Sequence, residues 1–405
     1  MAISLYAPTT LLPISGVKIS TAAAGIKYSD RDDLVLFELS EDAKTAVVLT
    51  KNQFCAAPVE ITRMHLAASR AKYLLINSGN ANAGLGKQGI VNAKQTCELL
   101  ASETNCNVAE VLPFSTGVIG EKLPVEKITQ KIPVLLRQLN ENQWLAAANA
   151  IMTTDTVAKG YSKQLTLGGE AISITGIAKG SGMIRPDMAT MLAYVATDLE
   201  IEDEALNMML AKAVDQSFHC ITVDGDTSTN DAAVLIATGH SKIKFNGLSK
   251  QERIKFEASL IEIFVKLAQA IIRDGEGVTK FITVSVEQAK AEAMAKDIAF
   301  AIANSPLVKT AAFASDPNWG RILAAAGRAT KETIEVSKIS LYINDLKVIE
   351  DGEVANGYGE ENGQKEMQND EIRFRLLLSE GDSAATVWTT DLSYDYVKIN
   401  AEYRT

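Results

Sequence analysis

One threonine, Thr190, stands in the surroundings that point most directly to chemistry. It follows the glycine-rich stretch 179–189 (KGSGMIRPDMA) and precedes the apolar run 192–196 (LAYVA). A threonine hydroxyl is a weak nucleophile until a base activates it, and the free α-amine of the same residue is one such base. That amine exists only if the Ala189–Thr190 peptide bond is cut.

The segment before Thr190 is suited to such a cut. Small Ala189 and flexible Gly180 and Gly182 let the hydroxyl bend back onto the carbonyl carbon that precedes it. The same pattern is typical of a Gly-Pro loop that enters a buried strand, in which a threonine only caps or turns the chain. From these residues alone, both interpretations stay open.

Read whole, residues 179–198 (KGSGMIRPDMATMLAYVATD) resemble the self-cleavage segment of the ornithine acetyltransferases. These enzymes of arginine biosynthesis move an acetyl group from N-acetylornithine to glutamate. Further segments resemble the same family and follow its order along the chain: 77–84 (NSGNANAG), 115–120 (STGVIG), 153–156 (TTDT), 221–231 (ITVDGDTSTND), 274–279 (DGEGVT), 315–327 (SDPNWGRILAAAG) and 391–405 (DLSYDYVKINAEYRT). Several are long and unusual in composition, so the resemblance is specific.

Thr116 and Gly117 are the candidates for stabilising an oxyanion. They follow the strand-like stretch 110–114, where glycine lets a backbone N–H approach a substrate closely and the threonine hydroxyl adds a second donor. A plain turn at the end of a strand favours the same residues. The resemblance decides for the catalytic role, because both positions match the family's oxyanion pair. It likewise implies that Thr190 is the nucleophile and that the chain cleaves itself between Ala189 and Thr190.

Amino-acid substrates require groups that hold a carboxylate and an ammonium. Lys179 is suited to the carboxylate and Glu276 to the ammonium, although such residues usually lie on the solvated surface. Thr405 would add the carboxylate of the chain end. The resemblance places the following residues at the substrate: Thr153, Lys179, Thr190, Glu276, Asn400 and Thr405.

Composition excludes several classes of function. The chain has 405 residues and a net charge of −10, which disfavours binding to a phosphate backbone. No apolar stretch approaches the roughly 20 residues of a membrane helix, and nothing in the first 18 residues is typical of a signal or transit peptide. We therefore expect a cytoplasmic protein. Four cysteines and three histidines show no metal-ligand spacing, so we expect neither a metal nor a cofactor.

Alternating helix and strand patterns predict an α/β (α+β) fold. The resemblance specifies a layered αββα core of the N-terminal-nucleophile type with a smaller second domain. It divides the chain into segments 1–189 and 190–405, which fold into one core and assemble as two copies of each. The clearest elements are a helix over 251–273 and strands over 73–77 and 281–286. We also predict one helix over 124–139 and a strand-like C-terminal tail.

Three functions compete. The first is acetyl transfer from N-acetylornithine to glutamate through an acetyl-Thr190 ester, and acetyl-CoA is a further candidate donor. The second is an amidohydrolase or aminopeptidase that uses the same nucleophile with water as acceptor. The third is a non-catalytic metabolite-binding protein, which the intact Ala189–Thr190 and Thr116–Gly117 pairs disfavour. The nucleophile motif alone does not separate the first two.

Overall fold

The computed structural model describes residues 2–185 and 191–402. Its strands, in chain order, are β1 (Val17–Ala22), β2 (Leu34–Leu39), β3 (Lys44–Leu49), β4 (Tyr73–Asn77), β5 (Val111–Ser115), β6 (Lys159–Leu167), β7 (Glu170–Lys179), β8 (Leu192–Thr197), β9 (Ile221–Thr222), β10 (Ala232–Ala237), β11 (Phe281–Ala289), β12 (Ser340–Ile343), β13 (Leu346–Glu350), β14 (Glu353–Val354), β15 (Glu371–Leu377) and β16 (Ser383–Thr390). Its α-helices are α1 (Ala57–Ala68), α2 (Lys87–Thr104), α3 (Val125–Thr129), α4 (Ile132–Gln138), α5 (Trp144–Ala150), α6 (Asp203–Asp215), α7 (Lys250–Arg273), α8 (Glu292–Ala303), α9 (Pro306–Phe313), α10 (Trp319–Gly327), α11 (Glu360–Met367) and α12 (Tyr394–Ala401).

The chain divides into two compact units. The larger unit comprises Tyr6–His219 and Asp226–Ile271, and the smaller comprises Met1–Leu5, Cys220–Gly225 and Ile272–Thr405.

Two sheets form the centre of the larger unit. One has the strand order β1-β2-β4-β5 and the other the order β3-β10-β8-β7-β6. In the second sheet β8 and β10 follow residue 190 in the sequence, and they lie between β3 and β7, which precede it. The described residues on the two sides of the predicted cut therefore share one sheet.

The inner faces of the two sheets pack together through large aromatic side chains. The ring of Phe37 on β2 lies 5.4 Å from that of Tyr194 on β8, and Phe114 on β5 lies 5.5 Å from the same tyrosine. Trp144 of α5 contacts Phe37 edge-on at 5.6 Å. These buried rings lie in one apolar cluster with many aliphatic side chains of both sheets, and the cluster joins the two sheets.

Helices cover both outer faces. Along β2, Val35 and Phe37 face the inner core, whereas Leu34 and Leu36 pack with α1, α2 and α4. This is the two-residue period of a strand that is covered on both sides. On the second sheet, α6 packs against β3 and β10. A side chain at Gly176 of β7 would meet α7.

The predicted αββα core is thus confirmed. Helix α7 matches the predicted helix over 251–273. Its apolar stripe is fully buried, and consists of Phe256, Leu260, Ile263, Phe264, Leu267 and Ile271. Periodicity of three and four residues over this length leaves little freedom for another structure.

The smaller unit has a sheet of its own, with the strand order β14-β13-β12-β15-β11-β16-β9. Helix α8 packs on β11 and β16, and α9 and α10 pack beside it. Buried residues alternate with exposed or half-buried ones along β15, which is the two-residue period of a strand with one covered face.

Two predicted elements are wrong. The single helix over 124–139 is two helices, α3 and α4, because Pro133 has no N–H to donate and occupies the first turn of α4. The C-terminal tail is the helix α12 and not a strand. Ser393 begins this helix, since its hydroxyl accepts the Tyr396 N–H, and Asp395 adds an acidic residue to the first turn.

Within residues 2–185 and 191–402, no helix combines the length and apolar character that a bilayer span requires.

Candidate active site

Thr116 and Gly117 lie directly after β5, in a turn that packs against the turn after β4. The two strands are parallel neighbours, so their carboxyl ends meet at one edge of the sheet. Thr116 is buried, and its N–H donates to the Asn77 carbonyl at 3.0 Å. Gly117 has a φ of +134°, and a Cβ there would lie 2.2 Å from the carbonyl carbon of Gly79. Glycine is required at position 117 because two backbones meet there.

Two hydrogen-bond donors of this turn have no acceptor in the described part of the chain. They are the Gly117 N–H and the hydroxyl proton of Thr116. The hydroxyl oxygen of Thr116 accepts from Lys179 Nζ at 3.3 Å, which leaves its proton available. An unused N–H and an unused hydroxyl on adjacent residues, beside a buried ammonium group, are suited to stabilise an oxyanion.

Two buried asparagines hold this turn in place. Asn77 accepts the Ser115 hydroxyl at 2.6 Å and donates to the Asn80 carbonyl at 2.8 Å. Asn230 donates to the carbonyls of Ala81 at 2.7 Å and Ser115 at 2.9 Å. A buried polar network of this kind rigidifies the backbone that it contacts, since each broken bond would leave an unpaired group.

Three charged side chains are buried near Thr116. Lys179 ends β7, and Lys159 begins β6 and donates to Asp155 Oδ1 at 2.7 Å. Burial alone would raise the pKa of Asp155. The ammonium groups of Lys159 and Lys179, with the Gly180 N–H, instead hold that pKa well below its ordinary range. Asp155 is therefore ionised throughout the physiological pH range.

Asp155 also joins the segment of Thr153 to the segment of Lys179. Its Oδ2 accepts the Thr153 N–H at 3.0 Å, and its Oδ1 accepts the Gly180 N–H at 2.7 Å. Four of the predicted site residues are thus connected in the larger unit: Thr116, Gly117, Thr153 and Lys179.

Glu276 and Asn400 are in contact within the smaller unit. Glu276 is buried, and its Oε2 accepts from Asn400 Nδ2 at 2.8 Å. Gly277 permits this arrangement, because a Cβ there would lie 2.3 Å from the Tyr396 nitrogen at the start of α12. Ser393 donates to the Gly277 carbonyl at 2.6 Å and fixes the same approach.

The remaining predicted positions, Ala189, Thr190 and Thr405, lie outside the described residues. Met191, which follows Thr190 directly, is described, and its N–H donates to Asp231 Oδ1 at 2.7 Å. The cleavage site and the nucleophile stay predictions.

Comparison with known proteins assigns the chain to a family. The sequence model of the ArgJ family matches residues 18–405. The chain belongs to the ArgJ family. It is 51% identical over 399 residues to the arginine biosynthesis bifunctional protein ArgJ of Psychrobacter arcticus, and the match covers 98% of each chain.

Two solved structures are also similar to this chain. The arginine biosynthesis bifunctional protein of Bacillus halodurans is 35% identical over 50% of this chain and 95% of its own, with a TM-score of 0.47. The ornithine acetyltransferase of Mycobacterium tuberculosis, solved with ornithine, is 32% identical over 43% of this chain and 92% of its own, with a TM-score of 0.37.

Four buried polar residues of this ArgJ-family chain were given no role by the sequence analysis. They are Asp155, Lys159, Asn230 and Asp231. Three of them lie within segments that carry the family resemblance, 153–156 and 221–231, so their position in these motifs was an available signal. Lys159 and Asp155 are only four residues apart, but Gly180, Met191 and Ser115, the partners of Asp155, Asp231 and Asn230, lie in other segments, and only the fold reveals those contacts.

Asp224, in the segment 221–231, makes a structural contact. Asp224 Oδ2 accepts the Tyr396 hydroxyl at 3.3 Å. Within the described residues, no group of three or more His, Cys, Asp or Glu side chains is arranged to hold a metal ion.

Proposed function

We propose that this chain transfers an acetyl group from N-acetylornithine to glutamate, with Thr190 as the acceptor of a covalent acetyl intermediate. The observation that carries the proposal is the pair of unused donors at Thr116 and Gly117, beside buried Lys179, in a chain of the ArgJ family. Its relatives are named arginine biosynthesis bifunctional proteins.

The reaction has two half-reactions with one nucleophile. The Thr190 hydroxyl attacks the acetyl carbonyl carbon of N-acetylornithine and gives its proton to the α-amine of Thr190. Thr116 and Gly117 donate to the oxyanion. The intermediate then collapses, the carbon–nitrogen bond breaks, and the proton moves to the departing amine of ornithine. The glutamate amine attacks the resulting ester, and the same steps in reverse order restore the threonine.

The substrate contacts follow from charge. Lys179 is assigned to the α-carboxylate, with Thr153 beside it on the segment that Asp155 holds. Glu276 is assigned to an ammonium group, and Asn400 holds the Glu276 carboxylate in position through its 2.8 Å hydrogen bond. Thr405 completes the proposed substrate contacts.

Several finer statements belong to the same proposal. The chain cleaves itself between Ala189 and Thr190, and segments 1–189 and 190–405 assemble as two copies of each. Acetyl-CoA is included in the proposal as a second donor; the word bifunctional in the names of the relatives supports a second activity without naming its donor. The enzyme works in the cytoplasm.

A mass measurement tests the central step. Processed protein incubated with N-acetylornithine and without glutamate should gain one acetyl mass on the segment 190–405. Addition of glutamate should remove that mass and yield N-acetylglutamate. Initial rates at varied concentrations of both substrates should give parallel lines, because ornithine leaves before glutamate reacts.

The outcomes separate the competing functions. Intersecting lines, with no acetyl mass on either segment, would rule out the covalent intermediate. Loss of the acetyl group at the same rate with and without glutamate would identify a hydrolase. Thr190→Ala serves as the control and should acquire no acetyl group.

A further inference from the structure

Two consecutive residues, Asn230 and Asp231, contact both halves of the proposed catalytic centre. Asn230 donates to the Ser115 carbonyl at 2.9 Å, and Ser115 immediately precedes Thr116. Asp231 accepts the Met191 N–H at 2.7 Å, and Met191 immediately follows Thr190. Both side chains are buried, so neither bond competes with bulk water.

Both backbone groups of Met191, the N–H and the carbonyl, form hydrogen bonds. Its N–H donates to the Asp231 side chain, and its carbonyl accepts the Ala232 N–H at 3.1 Å. Met191 follows Thr190 directly in the sequence, so the proposed nucleophile is attached to the nitrogen that Asp231 holds. A bond that fixes this nitrogen therefore limits where the nucleophile stands.

The carboxyl group of Asp231 is in an unusual state for an aspartate. It is fully buried, and its Oδ2 has no hydrogen-bond partner in the described residues. Burial raises the pKa of Asp231 well above its ordinary value, and the opposing influences of the Met191 N–H, Lys179 and Ser228 are smaller. A carboxyl oxygen can accept the Met191 N–H in either protonation state, and the amide oxygen of asparagine can do the same, so asparagine is a close mimic.

We propose that Asn230 and Asp231 form one positioning element, which holds the nucleophile and the two oxyanion donors at a fixed separation. The inference rests on the proposed function of Thr190, Thr116 and Gly117. The bond to Ser115 fixes the turn that carries the donors, and the bond to Met191 fixes the chain that carries the nucleophile. One peptide unit joins the two bonds, so a shift at either end changes the same distance.

Substitution of the two residues tests the proposal. Asp231→Ala and Asn230→Ala should each lower kcat at least 10-fold and leave KM within about two-fold, since a displacement of about 1 Å can cost on the order of 100-fold. Asp231→Asn keeps the acceptor for the Met191 N–H and should stay within about three-fold of wild-type kcat. The double alanine variant should lose little more than the worse single variant, because both changes disturb one distance.

Asp198 provides a matched control. It is a half-buried aspartate with a raised pKa, lies directly after the opposite end of β8, and accepts a backbone N–H, that of Ser173, at 3.0 Å. Asp198→Ala should destabilise the protein about as much as Asp231→Ala in a thermal melt and leave kcat unchanged. A similar kcat loss in both variants would reduce Asp231 to a structural role.

Other results would overturn the proposal directly. These are wild-type kcat in folded Asp231→Ala, a loss in Asp231→Asn equal to that in alanine, or multiplicative losses in the double variant. If Asp231→Ala does not fold, hydrogen exchange of the Met191 amide in wild-type protein decides, and exchange as fast as in an exposed loop would exclude the bond. These results differ from those expected if the proposed function itself is wrong. In that case wild-type protein would form no acetyl intermediate, or Thr190→Ala would stay active.

Discussion

At the scale of single residues, Gly117 determines how closely the two turns at the carboxyl ends of β4 and β5 approach each other. A side chain there would penetrate the Gly79 peptide group, which is backbone and cannot rotate away. The donors at 116 and 117 keep their positions only while that contact is free of a Cβ. In the proposed reaction, Gly117 therefore contributes through the absence of a side chain.

Substitution of Gly117 by alanine should separate the turns and displace the N–H donor. We expect kcat to fall on the order of 100- to 1,000-fold, which is typical of the loss of one oxyanion donor. Gly120→Ala is the matched control, because Gly120 also has a positive φ, +84°, but a Cβ there would meet no described atom within 4 Å. It should cost about 1 to 2 kcal/mol of stability with little effect on kcat, and equal kcat values in the two variants would contradict the argument.

Thr116, Gly117 and Lys179 could be predicted as site residues from the sequence, because they lie within motifs that resemble the family, and their roles stay predictions. The sequence did not reveal Asp155 or Asp231. Their roles depend on partners in other segments, Gly180 for Asp155 and Met191 for Asp231, and on burial that those segments create together. A carboxylate in a sequence motif is the same residue whether it is solvated or fully buried. Its environment can therefore be known only from the fold.

The buried pair of Asp155 and Lys159 should make stability depend on pH. Asp155→Asn removes the negative charge that faces the buried ammonium groups of Lys159 and Lys179, which costs about 3 to 5 kcal/mol for a broken buried pair. The folded pKa of Asp155 is below its unfolded value of about 3.9, so the wild-type advantage is complete above that pH and disappears as the pH falls through the folded pKa.

Urea unfolding of both proteins between pH 3 and pH 7 measures this difference. The two stability curves should run parallel near neutrality and converge at the acidic end. Asp203→Asn, which breaks an exposed pair with Arg70, should stay close to wild type at every pH. A constant difference between wild type and Asp155→Asn down to the lowest pH would show that the charge is not responsible.

At the scale of elements, apolar periodicity indicates the helices and strands whose pattern is unbroken. Helix α7 and strand β15 each have one apolar pattern over their full length, so local sequence determines them. The predicted helix over 124–139 failed at Pro133, and the C-terminal tail failed because the capping of α12 by Ser393 outweighs the apolar alternation of its residues. Local capping and backbone chemistry decided both cases.

The contact between α7 and the second sheet is close enough to test. A Cβ on Gly176 would lie 2.9 Å from Val195 and 3.0 Å from Leu267. Gly176→Ala should therefore reduce the free energy of unfolding by about 1 to 3 kcal/mol through overpacking. In Gly247→Ala the new Cβ would meet no described atom within 4 Å, so this variant should be close to neutral. Equal stabilities of the two variants in urea would mean that the helix shifts without cost.

At the scale of the whole molecule, the two predicted segments should stay together after the cut. Strand β7 pairs with β8 through Lys179 opposite Leu192, and β3 pairs with β10 along their whole length. Processed protein should elute as one species in gel filtration and separate into 1–189 and 190–405 only in denaturant. Thr190→Ala should give one uncut chain in both conditions, and dissociation of the processed segments in native buffer would contradict the shared sheet.

The position of β8 and β10 in their sheet also bears on the order in which the sheet forms and the proposed cut is made. Both strands are buried along their full length, and their outer partners β3 and β7 come from the first segment. Made alone, residues 190–405 would carry this apolar two-strand ribbon with both edges bare, which is a template for aggregation. If the chain cuts itself before Thr190 as proposed, the uncut chain supplies both neighbouring strands on the same polypeptide, so that the sheet can close before the cut is made.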